Sequence, residues 1–459
     1  MQTSNVEALV LELIKKARSA QQVIEGYNQN QVDALVRAVA KVVFDNAESL
    51  AKDAVEETRM GRYEDKVKKN KGKARVIWSD LKGKKSVGII RELPEEGLIE
   101  VAKPMGVVGA VTPTTNPIVT PMCNAMFALK GRNAILISPH PRSKKCSSRT
   151  VKLMREAIAA LGAPEDLIQV IEEPSVEASA LVMKSCDVCV STGGMGMVRA
   201  AYSSGKPAFG VGAGNVQCIL GKDADIDKVV PMIIEGRAFD NGIICSAEQT
   251  AIVPEKELQR VIDAFVREGA YYISDKEEVE RVRETLFPDG VVNKACVGQS
   301  AAFVAEKAGI QIPENTKILL VKTETYGEKD HLSSEKMAPV LTLYTYKEWE
   351  EAIDIAQANL NVTGLGHSVC IHSHDKKEIE YAALKLPVSR ILLNQICATS
   401  NGGSFFNGLA ATTTLGCGSW GNNSISENLS WKHLLNISRV ADIKPGSFVP
   451  DDEQIWGQE

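Results

Sequence analysis

Cys245 is the residue of this chain best placed for chemistry. In Asn241-Gly242-Ile243-Ile244-Cys245-Ser246-Ala247-Glu248-Gln249 it stands between an Asp-Asn-Gly turn and a polar, small-residue segment, whereas thiols such as Cys189, Cys218 and Cys370 sit in apolar runs. A thiol in that setting is open to a substrate. Attack of its thiolate on an aldehyde carbonyl gives a thiohemiacetal, and loss of hydride from that adduct leaves a thioester. Taken alone, a cysteine beside a turn is more often a packing residue, so the rest of the chain has to decide.

Four further segments offer suitable groups. Thr114-Thr115-Asn116-Pro117 follows the apolar stretch GVVGAVTP and offers the Asn116 carboxamide, which can donate to a developing oxyanion without changing charge; an Asn before Pro is also an ordinary turn former, and from the residues alone that is the commoner case. Thr192-Gly193-Gly194-Met195-Gly196 lies between a strand pattern and a helical one, where free N–H groups can face a phosphate; its spacing is not G-x-G-x-x-G, and a tight strand-to-helix turn explains the glycines equally well. Ser138-Pro139-His140-Pro141-Arg142-Ser143-Lys144-Lys145 carries cations able to reach a ribose or a 2′-phosphate, or forms a solvated basic loop. Glu335 in SEKMAP and His367 in GLGHS are polar residues beside strands, and each alone reads as a surface residue.

The elements that must position these groups follow from periodicity. Residues 5–80 show apolar positions at three-and-four spacing, the pattern of amphipathic helices. Segments 86–91 and 98–102, around ELPEEG, read as a two-stranded ribbon too thin to bury itself. From 105 onward, GVVGAVTP, NAILISPHP, DLIQVIEE and DVCVSTGG alternate with helical stretches, the rhythm of a parallel sheet. A second alternating set follows Cys245, with QTAIVP, KILLVKTE, LTLYTY, HSVCIHS and SRILLN as strands. The expectation is an α/β protein of two facing domains, with a tail from 433 that is too polar to fold alone and reaches across a partner.

At 459 residues the chain exceeds one simple core. A net charge of -5 without a basic block argues against nucleic acid as a partner, and no apolar run reaches membrane-spanning length. The N-terminal stretch lacks the apolar centre of a signal peptide, so a cytoplasmic address is expected. The ten cysteines lack framework spacing, which fits free thiols in a reducing compartment. Cys186 and Cys189 match C-x-x-C but have no second pair at zinc-site distance, so no metal is expected.

Read in order, VTPTTNP, ISPHPRSKK, STGGMGMV, YSSGKPAFGVGAGN, FDNGIICSAEQ, EKMAPV, GLGHS and TLGCGSWGNNSISEN resemble the aldehyde dehydrogenase superfamily, in its CoA-acylating branch, across essentially the whole chain. Stretches such as VEETRMGRYEDKV, NPIVTPMCNAMFALKGRN and LAATTTLGCGSWGNNSISENLSWKHLLNISR are similar to the succinate-semialdehyde dehydrogenases of that branch, while acylating enzymes for sulfoacetaldehyde and acetaldehyde share much of the scaffold. The resemblance implies a Rossmann-type cofactor domain (1–84 and 104–217), an α/β catalytic domain (218–432) and a small β oligomerisation arm with tail (85–103 and 433–459), assembled as a homodimer or a dimer of dimers. It implies Cys245 as nucleophile, Asn116 with the Cys245 N–H as oxyanion donors, and His367 as an aid to deprotonating CoA. For NADP or NAD it implies Thr112, Pro113, Thr114, His140, Pro141, Arg142, Thr192, Gly193, Gly194, Gly214 and Glu335, the last orienting the ribose. Arg390, Ser246 and Ser404 are the candidates by type for a substrate carboxylate, although Arg390 serves equally well as a structural ion-pair partner. Hydrolytic members carry a water-activating glutamate where this chain reads Gly210-Val211-Gly212-Ala213-Gly214-Asn215. Without that base the thioester is expected to survive until a CoA thiol takes the acyl group. A catalytically silent binding protein of the same fold is the non-enzyme alternative, and both it and a hydrolytic enzyme would show no CoA dependence.

Overall fold

The computed structural model describes residues 5–457. It opens with four helices, Asn5–Ile24, Gln29–Asp45, Ala47–Thr58 and Tyr63–Leu81. The second shows why they form: Asn28 and Gln31 make a reciprocal capping box, and Val32, Leu35, Val36, Val39, Ala40 and Val43 fall on one buried face.

These helices cover a five-stranded parallel sheet in the order Ile168–Val170, Ala134–Pro139, Val107–Thr112, Val188–Thr192, Ala208–Val211. The first strand in sequence, Val107–Thr112, is central and the chain winds outward on both sides, so the topological switch point lies between it and Val188–Thr192. Val107–Thr112 and Ala134–Pro139 are buried along their whole length, which accounts for their unbroken apolar sequence.

A second sheet, of seven parallel strands, runs Ala270–Ile273, Ile318–Lys322, Val340–Tyr346, Glu248–Pro254, Val216–Leu220, Val369–His372, Ile391–Leu393. All five strands expected after Cys245 are present. Three strands carried no clear signal in sequence: Ala208–Val211 and Ala270–Ile273 have four residues each and adjoin glycines, and Val216–Leu220 follows the Gly-rich run 210–214.

The ribbon Gly88–Leu93 and Leu98–Pro104 is antiparallel, and Leu435–Ala441 from the tail adds a third strand along Leu98–Pro104. The tail therefore completes the arm of its own chain before running out as exposed residues to the short helix Asp452–Trp456. Segment 397–434 spans both halves: Cys397 is buried with the seven-stranded sheet, while Ala411, Leu429 and Leu434 join the core of the five-stranded one. No helix among the described residues is long and apolar enough to cross a membrane.

Candidate active site

The carboxyl edge of the five-stranded sheet meets the amino edge of the seven-stranded one, and the candidate residues divide between the two edges. Thr112, Pro113, Thr114 and Asn116 end or follow Val107–Thr112; His140, Pro141 and Arg142 follow Ala134–Pro139; Thr192, Gly193 and Gly194 close Val188–Thr192. On the other side Gly214, Cys245, Glu335, His367 and Arg390 each precede a strand, at Val216, Glu248, Val340, Val369 and Ile391.

All ten cysteines are free; nine are buried and Cys245 alone is partly open. It borders a cavity of about 380 Å³ whose wall also includes Asn116, Ser246, Ser404, Lys69 and Lys73. On its other flank it packs against Val211, Leu415 and Cys417. Cys417 lines a second cleft, of about 340 Å³, that runs to Met195, Arg199 and Gly212. Cys245 thus lies between the two openings. Gly214 permits this arrangement, because a Cβ there would stand 2.0 Å from the Cys245 carbonyl oxygen and 3.1 Å from the His367 ring. Any side chain at 214 would push Cys245 out of place.

The electrostatics do not favour a resting thiolate. Burial, then the Glu335 charge, then Cys417 push the Cys245 thiol up to about 12, against the pull of Arg390 and the residue's own amide. Burial also raises Glu335 to about 7, although its carboxylate accepts the Gly214 N–H. His367 is driven the other way: burial and the nearby Arg390 lower it to about 3, so it is neutral at physiological pH. Its Nδ1 lies 2.7 Å from Ser368 Oγ, and its Nε2 is buried without a partner.

Among the expected carboxylate partners, Ser246 and Ser404 line the cavity, but the Ser246 hydroxyl already donates to the Ala398 carbonyl. Arg390 donates to the His367 carbonyl at 2.7 Å and to Asn428 Oδ1 at 3.3 Å, and is not on the cavity wall. Lys73 is. Its ammonium donates to the Gly402 and Thr412 carbonyls at 3.0 and 3.3 Å and pairs with no carboxylate among the described residues. Burial lowers it to about 8, which leaves it mostly charged near neutrality. Sequence reading missed Lys73 because KVKKNKGKAR has the look of a solvated helix face; the only local hint is that Lys69 and Lys73 share one face at i,i+4.

A dinucleotide fits the carboxyl edge. The Thr112, Thr114 and Ser191 hydroxyls there are buried without partners, and beside Gly193 and Gly194 a Cβ would meet nothing within 4 Å. Polar groups left unsatisfied at a switch point are what a ribose or pyrophosphate would satisfy. Arg142 and Lys145 are exposed beside this edge, whereas Lys144 is engaged by Glu173.

A buried ion cluster ties the two halves together. The Asp240 carboxylate accepts Lys69 Nζ at 2.5 Å, Lys66 Nζ at 3.0 Å and the Arg62 N–H at 2.9 Å. Burial opposes its ionisation, but the two ammonium groups overcome that and hold it below the usual carboxylate range. Leaving such a cluster without one partner typically costs about 3–5 kcal/mol. Another grouping, Cys218, Cys370 and His372, brings its ligand atoms within 4.8 Å of one another on two adjacent strands of the seven-stranded sheet. There the Cys370 thiol is already satisfied by the Gln395 carbonyl at 3.3 Å and lies 3.4 Å from His372 Nε2.

Known proteins resemble the chain over most of its length. Residues 3–278 match the aldehyde dehydrogenase family. The chain is 54% identical to the succinate-semialdehyde dehydrogenase (acetylating) of Clostridium kluyveri, over 98% of this chain and 99% of that one. It is 42% identical to a sulfoacetaldehyde dehydrogenase from an Acholeplasma species, over 98% and 94%. Its fold superimposes on the crystal structure of an acetylating aldehyde dehydrogenase from Geobacillus thermoglucosidasius with a TM-score of 0.93, at 39% identity and covering 97% and 98% of the two chains.

Proposed function

The chain belongs to the aldehyde dehydrogenase family, and from that premise we propose that it interconverts succinyl-CoA, NAD(P)H and a proton with succinate semialdehyde, CoA and NAD(P)⁺ through a thioester on Cys245. The observation that carries the choice of acyl group is Lys73, a cation on the wall of the Cys245 cavity that pairs with no carboxylate among the described residues, Glu235 on the same wall included. A cavity of this kind selects an acyl chain with an anionic end, because the substrate's carboxylate supplies the charge the protein withholds. Sulfoacetyl-CoA satisfies the same cation; the 54% relative favours the succinyl group.

In the oxidising direction, Cys245 Sγ bonds to the aldehyde carbon as its proton passes to solvent in the cavity, and the negative charge growing on the carbonyl oxygen is met by the Asn116 carboxamide and the Cys245 N–H. Such a donor contributes about 3–4 kcal/mol to the transition state. Thr112, Thr114 and the Thr192–Gly194 turn hold the dinucleotide, and Glu335 orients its ribose. When bound, the nicotinamide accepts or supplies the hydride. Gly212-Ala213-Gly214 presents no carboxylate to activate water. The thioester therefore lasts until the CoA sulfur bonds to the acyl carbon and the Cys245 Sγ–acyl bond breaks, the CoA thiol's proton ending on the departing Cys245 sulfur, with His367 Nε2 free to receive a hydrogen bond from the incoming thiol. Because a thioester retains much of the oxidation energy, the reverse reaction is accessible.

The test follows nicotinamide absorbance with succinyl-CoA, sulfoacetyl-CoA and acetyl-CoA under NADPH and NADH. Wild type is expected to turn over succinyl-CoA best. Lys73→Met should lower kcat/KM for succinyl-CoA roughly 10–100-fold and leave acetyl-CoA within about threefold. Equal losses on both would remove Lys73 as the carboxylate partner. A preference for sulfoacetyl-CoA would change the acyl group and keep the chemistry, and no turnover by folded protein would end the proposal.

A further inference from the structure

We infer that Asp240 is a positioning residue that sets Asn116 against Cys245; the role rests on the acyl-transfer chemistry proposed above. Asp240 lies five residues before the nucleophile, in the turn Phe239–Gly242, and its side chain is fully buried. Neither its composition nor its place in a turn singles it out. Its connections do.

Lys69 is the link. Its ammonium donates to Asp240 Oδ2 at 2.5 Å and reaches the Thr115 carbonyl at 3.5 Å, the peptide that leads into Asn116. One cation therefore joins the turn that carries the nucleophile to the loop that carries the oxyanion donor. Those two segments come from different sheets and meet only at the cleft, so nothing in either sheet's hydrogen bonding fixes their separation. Lys69 and Lys73 lie one helical turn apart on Tyr63–Leu81, so the same anchor also sets where Lys73 enters the cavity.

The turn is held against its own preference. Asp240 (φ 51°, ψ 37°) and Asn241 (φ 53°, ψ 34°) are both left-handed without being glycine. Consecutive residues in that region persist only where their surroundings over-determine them. Here Arg62 N–H donates to Asp240 Oδ1 at 2.9 Å, Asp65 Oδ2 accepts the Asp240 N–H at 3.0 Å, and Asn241 Nδ2 donates to the Gly298 carbonyl at 2.9 Å. Space for the carboxylate is reserved by Gly61, where a Cβ would stand 1.9 Å from Asp240 Oδ1. Asp240 alone faces both Lys66 and Lys69, while Asp65 lies 3.8 Å from Arg62 Nε.

The experiment is a double-mutant cycle in the full-length protein between Asp240→Asn and Asn116→Ala, read as kcat and KM with succinyl-CoA and with acetyl-CoA. Positioning predicts a roughly 100-fold fall in kcat for Asp240→Asn, with KM for the acyl-CoA within about threefold. On the Asn116→Ala background the further fall should be only about threefold, because the donor being positioned is already gone. Losses that multiply in full would mean that Asp240 acts independently of Asn116, and would overturn the inference. Should Asp240→Asn not accumulate as folded protein, Lys69→Met breaks the same link from the other side and enters the same cycle. A second readout needs no turnover: amide exchange over residues 112–118 should quicken in Asp240→Asn while strand 134–139 keeps its protection, and unchanged exchange over 112–118 would equally overturn the inference. Wild-type protein that reduces no acyl-CoA would remove the proposed function, and the amide-exchange result would then decide the positioning role by itself.

Discussion

The two sheets meet at the cleft by opposite edges. In the five-stranded sheet the candidate residues follow their strands, where crossover helices begin and turn free N–H groups and positive dipole ends toward the cleft. In the seven-stranded sheet they precede their strands, and the groups gathered there are a thiol, a carboxyl and an imidazole rather than backbone donors. The first edge is built to hold an anion in place. The second presents side chains whose protonation is shifted by burial, with Cys245 at about 12, Glu335 at about 7 and His367 at about 3. The lesson is that strand polarity separates most of the binding from most of the bond-making, with one proposed exchange in each direction: Asn116 serves the oxyanion from the carboxyl edge, and Glu335 serves the ribose from the amino edge.

The sharpest division comes from Cys245→Ala, expected to lower acyl-CoA reduction by roughly 10⁴-fold while cofactor affinity, read by quenching of protein fluorescence, is retained. Loss of cofactor binding in that variant would break the division. The next effect is a pH dependence at Glu335. In the proposed role its carboxylate is the form that would accept ribose hydroxyls, and burial raises it to about 7. Below that pH the acceptor is protonated, so kcat/KM for the cofactor should rise with pH through about 7, falling by about tenfold per unit well below it. Glu335→Gln should erase that limb, and an unchanged profile would assign it to another group. The smallest effect belongs to the carboxyl edge: Arg142→Ala is expected to raise the KM for NADPH by about three- to tenfold, with NADH and kcat unaltered. A fall in kcat instead would place chemistry on the binding edge.

Much of this could be read from the residues. The apolar strands, the helical face of 29–45 and the turn that opens Cys245 are local patterns, and each formed where its spacing requires. What stayed hidden has a common cause. Asp240 reads as a turn residue and Lys69 and Lys73 as a solvated face, because their partners lie more than a hundred positions away: Lys69 and Asp240 are 171 residues apart, and Lys73 and Gly402 are 329 apart. Arg390, a cation of the right type near the right motif, is taken up by His367 and Asn428.

The sequence by itself determined the α/β class, the alternation that builds two parallel sheets, and a thiol in a small-residue turn, since these depend on propensity and periodicity within a dozen residues. Only the tertiary structure decided which edges of the sheets face each other, that Lys73 reaches the cavity wall without a carboxylate partner among the described residues, and that Lys69 joins the buried Asp240 before Cys245 to the Thr115 carbonyl before Asn116. Those are properties of long-range packing, where burial and the absence or presence of a counter-charge give a residue its role, and no local pattern encodes them.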